Sequence, residues 1–156
     1  MQHIKKFISD DSTLVATYRV GNLTENEEAR QYYPVGEPNH CMSAHIESAI
    51  IDFFGSLRVL AKNRASNGGF QIRIVLTGNG REPIYIRTNE GQGNWLLGVE
   101  FSEPVHSFRQ VSSELDPLLP VQDLLFVLND LALDVVNQGG VRNLRVMSIA
   151  ADREDT

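Results

Sequence analysis

Apolar and polar positions alternate along the chain in two rhythms, and each rhythm predicts an element. Leu14, Ala16, Tyr18 and Val20 alternate with Val15, Thr17 and Arg19, the two-residue period of a strand. From 43 to 62 the rhythm changes. Ile46, Ala49, Ile50, Phe53, Phe54, Leu57, Leu60 and Ala61 recur at three- and four-residue spacing, which predicts a helix with Ser43 as its N-cap and Glu47 favouring its dipole. Gly55 within it is expected where another element approaches closely. Phe70, Ile72, Ile74 and Leu76 predict a strand, Gly78-Asn79-Gly80 a hairpin turn and Ile84–Arg87 its return. Trp95, Leu97, Val99 and Phe101 share one strand face, and a weaker strand runs from Val105 to Val111. A second helix is expected over 120–137, with Pro120 in its first turn and Val121, Leu124, Leu125, Leu128, Leu131, Ala132 and Val135 as its apolar stripe. Leu144–Met147 reads as a last strand.

Two segments repeat one design. Asn67-Gly68-Gly69 and Gln138-Gly139-Gly140 each follow an amphipathic segment and precede an apolar run with a central arginine, Arg73 and Arg145. A glycine pair suits a helix stop that reverses the chain onto a sheet. The expected architecture is a single α+β domain over 1–156, in the order β-α-β-β-β-β-α-β. Its sheet is mostly antiparallel, with both long helices packed on one face. The stretch 22–39, punctuated by Pro34, Gly36 and Pro38, reads as a long loop, and 150–156 as a frayed tail.

Composition narrows the classes. At 156 residues with 42% hydrophobic and 22% charged positions, the chain has the makeup of one soluble globular domain. No apolar run approaches the ~20 residues that span a bilayer, so no membrane contact is expected. The first eight residues lack the apolar stretch of a secretory signal. With Cys41 the single cysteine, an internal disulfide is excluded, and a reducing, cytoplasmic setting is expected.

The net charge of −6 argues against nonspecific nucleic-acid binding over the whole surface. The charge is uneven: Arg58 to Arg109 holds seven basic against four acidic residues, and Glu114 to Asp134 five acids and no base.

Chemistry is sparse. His40, Cys41 and His45 are the only cluster of nucleophile and base types. Cys41, just before a helix start, could act as a nucleophile with His45 as base, yet no acid completes a triad. A structural cysteine flanked by helix-entry histidines is the favoured reading, so no metal and no cofactor is expected. The glycine turns lack the strand–loop–helix context of a Rossmann fingerprint and the Gly-Lys-Ser/Thr of a P-loop. Arg73, Tyr85, Arg87, Arg109 and Arg145 are the candidate binding residues. Arg73, Tyr85 and Arg87, with Gln71 and Glu100, are expected on the face opposite the helices, where Val75 and Leu96 add apolar area, and Arg109 and Arg145 are expected on strands of the same sheet. Cross-strand ion pairing is the duller role for these arginines.

Tyr32-Tyr33-Pro34-Val35-Gly36, the helix over 43–62 and Asn67–Ile74 together resemble the region that follows the AlbA-like module in Schlafen-type proteins of bacteria assigned to DNA binding. The resemblance covers about half the chain, without the AlbA-like module itself. It implies an accessory domain of a DNA-associated transcription regulator, with no catalytic residue to carry over. The reading as a whole is a non-catalytic binding or assembly module that forms a homodimer through an open sheet face or a sheet edge, with a further protein or nucleic acid as possible partner. A small enzyme built on Cys41 and His45 is the competing class.

Overall fold

The computed structural model describes residues 4–11, 13–21, 38–64, 69–88, 103–144 and 146. It is an α+β fold, with two long helices among the described residues. The strands are β1 (Ile4–Ile8), β2 (Leu14–Tyr18), β3 (His40–Met42), β4 (Phe70–Ile74), β5 (Tyr85–Arg87) and β6 (Val111–Leu115). Helix α1 (Ser43–Asn63) follows β3, and α2 (Val121–Val136) follows β6, ending in a 3-10 turn at Asn137–Gly139.

The helices obey the sequence rhythm because each hides one stripe. On α1, Ile46, Ile50, Phe54, Leu57 and Leu60 are buried; on α2, Leu124, Leu128, Leu131, Ala132, Val135 and Val136 are. These stripes face each other, and Cys41, Ile72, Ile86, Val111, Leu115 and Val141 complete one core. Packing against partners, more than helix propensity, holds such stripes in place.

Strand pairing departs from the expected sheet. The described strands form three ladders of two: β1 with β2 antiparallel, β4 with β6 antiparallel, and β3 with β5 parallel. Their order is β-β-β-α-β-β-β-α. Both β1 and β3 are additions; residues 141–144 are irregular, and of the last strand expected over Leu144–Met147, Arg145 and Met147 lie outside the described residues. The predicted Trp95–Phe101 strand, most of the 22–39 loop and the tail lie outside the described residues. Among the described residues the helices contact each other, with α1 against β2 and β3 and α2 against β6.

Local corrections have local causes. Gly78–Gly80 is no hairpin between paired strands. Its Asn79 is clamped to Asn39, whose Oδ1 accepts from the Asn79 N–H at 2.8 Å and whose Nδ2 donates to Asn79 Oδ1 and to the Glu82 carbonyl. Asn39 takes the left-handed φ of 60°, which asparagine tolerates, to make this turn. The run from Val105 to Val111 is a single bridge, Ile84 to Val105; the strand proper starts at Val111. Met42, not Ser43, is the N-cap of α1, and no side chain caps it. Glu47 is fully buried and accepts the Val146 N–H at 3.0 Å, so its carboxylate serves a tertiary contact. Helix α1 ends at Asn63, before Gly68-Gly69 is reached. The second glycine pair does stop its helix. Gly140 adopts φ 83°, and a Cβ on Gly139 would meet the Ile86 side chain at 2.9 Å. Gly55 has no atom within 4 Å of where its Cβ would stand, so nothing approaches it closely.

Candidate functional site

The His40–Cys41 cluster is built by the parallel β3–β5 pair, which sets His40 beside Tyr85, Cys41 beside Ile86 and Met42 beside Arg87. The rings of His40 and Tyr85 stack at 4.8 Å, and the Arg87 guanidinium lies over Tyr85 at 5.3 Å. Arg87 Nη2 donates to His40 Nε2 at 2.9 Å. A guanidinium has no acceptor, so His40 is a neutral imidazole with its proton on Nδ1, which donates to the Pro38 carbonyl at 2.8 Å. His40 is itself buried and committed on both nitrogens, which removes it as a general base.

Cys41 is 3% exposed. Burial pushes its thiol up to about 12, and Sγ donates to the Tyr85 carbonyl at 3.7 Å. His45 sits half-buried on α1; burial holds its pKa below the usual value, and its hydrogen bond goes to the Val20 backbone. No hydrogen bond among the described residues joins Cys41 to His45. The arrangement has the chemistry of a packed core edge, not of an activated thiolate. No group of three or more His, Cys, Asp or Glu among the described residues could hold a metal ion.

The arginines do not share one surface. Tyr85 and Arg87 belong to the His40 stack, half-buried. Arg73 is exposed on the β4–β6 ladder, opposite Ser112, beside a shallow polar hollow of about 350 Å³ shared with Gln71, Gln110 and Glu114. Arg109, also exposed, precedes β6, and its backbone exchanges two hydrogen bonds with the Gln138 side chain. Arg58, on α1, donates to the carbonyls of Pro117 and Leu119 and so fixes the entry to α2. Arg145 and Glu100 lie outside the described residues.

A larger open groove, about 650 Å³, runs between the β1–β2 hairpin and α1. The hairpin closes between Ser9 and Thr13. The Thr13 N–H donates to Asp11 Oδ1, the Ser9 hydroxyl also bonds Asp11, and the Ser9 N–H reaches the Thr13 carbonyl at 3.0 Å. Leu14, Ala16 and Tyr18 face the helix. The hairpin is pinned there by Lys6 Nζ, 2.6 Å from Asp52 Oδ2 and 2.8 Å from Ser56 Oγ, and by the Tyr18 hydroxyl donating to Asp52 Oδ2 at 2.6 Å. Lys6 and Tyr18 hold the Asp52 carboxyl below its ordinary range, and burial with the adjoining carboxylate pushes the Tyr18 phenol up.

The groove is lined by the apolar Phe7, Ile8, Leu14, Val59 and Leu60 together with the polar Lys6, Asp52, Ser56 and Asn63, and Gly55 leaves the helix side open. Phe7 is 61% exposed and Val59 57%. This surface depends on β1, a strand before Leu14 that lay outside the expected elements. The turn cluster from Ser9 to Thr13, following Ile4-Lys5-Lys6-Phe7-Ile8, was the available hairpin pattern. No helix among the described residues is long and apolar enough to cross a membrane. No family model, curated protein or solved structure matches the chain.

Proposed function

We propose that the chain is a non-catalytic binding and assembly module whose working surface is the hairpin–helix groove, and that its ligand is polypeptide. One observation carries this reading. Of the eight exposed large hydrophobic side chains among the described residues, five (Ile4, Phe7, Ile8, Val15 and Val59) belong to β1, β2 or the groove beside them. Scattered exposed apolar residues need no explanation, whereas a concentration of them at one corner marks a contact surface. The burial of Cys41 and the commitment of His40 weigh against the enzyme reading. A cytoplasmic setting rests on the single cysteine and a role within a DNA-associated transcription regulator on the resemblance alone, and on this reading DNA contact belongs to the larger assembly.

The test is a photo-crosslinking residue, benzoylphenylalanine, placed at Val59 in the protein expressed in cells. Polypeptide adducts are expected, and far fewer from the same residue placed at Gln71 on the polar ladder. A Val59 position that yields no adduct above the Gln71 level would overturn the reading.

A further inference from the structure

Resting on that reading, we infer that the occupant of the hairpin surface is a second copy of this chain, joined through antiparallel pairing of the two β1 strands about a two-fold axis. The backbone leaves this edge available. Ser9 N–H bonds the Thr13 carbonyl, so Phe7–Val15 and Lys5–Thr17 are the hydrogen-bonded pairs of the hairpin. The amides and carbonyls of Ile4, Lys6 and Ile8 therefore point away from β2, and β2 is the only neighbour of β1 among the described residues. A free edge of this kind is normally guarded by lysine. Here Lys6 is drawn back onto α1 by Asp52 and Ser56 and does not block it.

Register and charge favour a copy over an unrelated strand. With the axis at Phe7, Lys6 of each chain pairs with Ile8 of the other, which avoids opposing like charges. The two Phe7 rings meet across the axis, extended on either side by Val15, the cross-strand partner of Phe7 within each hairpin. The same register sets Lys5 opposite the partner's Ser9 and diagonal to the partner's Asp11, so the basic strand of each hairpin lies along the acidic turn of the other. A two-fold normal to the sheet puts both α1 helices on one side. There Ile8 and Val59 of one copy close the groove of the other, where Gly55 leaves room. The product is an isologous four-stranded sheet, the closed arrangement expected of a soluble homodimer.

The experiment is the mass of the intact chain by light scattering at micromolar concentration, for wild type, Phe7→Lys and Phe7→Cys. Phe7 is mostly exposed, so both variants should keep the wild-type circular dichroism, with the melting temperature of Phe7→Lys lowered only by the lost association. Wild type is expected at twice the 17.4 kDa of one chain. Phe7→Lys, which places two ammonium groups at the axis, should weaken association about thirty-fold or more. Phe7→Cys should form a covalent dimer with diamide as oxidant. A wild-type dimer unmoved by Phe7→Lys and not linked by Phe7→Cys overturns the β1 pairing. A monomeric wild type whose Val59 adducts are all to other proteins overturns the second copy but leaves the binding surface standing. A monomer with no Val59 adducts removes both.

Discussion

At the scale of the residue, the informative side chains are those whose environment contradicts their usual behaviour. Cys41 sits just before α1, where the positive end of the helix could lower a thiol pKa. Desolvation prevails because the sulfur is enclosed and its one hydrogen bond is as a donor, which favours the protonated form. Native protein at neutral pH should therefore react with iodoacetamide at least about a thousandfold more slowly than free cysteine. A rate equal to that of free cysteine under native conditions would restore the nucleophile. His40 shows the same dominance of surroundings over type: both of its ring nitrogens are taken up, one by a carbonyl and the other by a guanidinium.

At the scale of the element, the helical stripes were readable because a 3.6-residue period survives any choice of packing partner. Their exact facing was not. Phe53 and Phe54 both fit the stripe of α1, yet Phe54 is fully buried and Phe53 lies at the margin, edge to face with it at 5.3 Å. Phe54→Ala should thus destabilise by about 4 kcal/mol and Phe53→Ala by about half of that or less. Denaturant unfolding measures both, and equal losses would mean that α1 is rotated from the orientation described. Strands were less legible. β3 has three residues and pairs in parallel with β5, across an intervening helix and strand. A run so short carries no period to detect.

At the scale of the whole molecule, stability should depend on pH through His45. Its folded pKa is depressed by burial, so protonation favours the unfolded chain. The unfolded state binds more protons between the lowered folded pKa and the ordinary value of 6.5, and unfolding free energy rises with pH across that window. Stability should fall as pH drops below about 6.5, and His45→Gln should flatten this part of the profile. A profile identical in wild type and variant would show that His45 does not contribute. Asp52, whose folded pKa is lowered, acts at more acidic pH. Its contribution is present above the ordinary carboxyl range and is lost as pH falls through the folded value, and solvent at its rim keeps it modest.

What the sequence by itself determined is local: the α+β class, two amphipathic helices with their approximate bounds, and the glycine stop at Gly139-Gly140. These follow from periodicity and backbone freedom within a few residues of chain. Tertiary structure alone decided which strands pair, which arginines become structural, and where apolar surface stays uncovered. Tyr85 and Arg87 were expected beside Arg73 on one face. They lie on a different ladder because Asn39 locks the loop at Asn79 and turns β5 toward β3. The hairpin–helix groove depends on Lys6 meeting Asp52 across 46 positions of sequence. No pattern within either segment encodes that meeting, because the free energy that fixes it belongs to the contact and not to the segments.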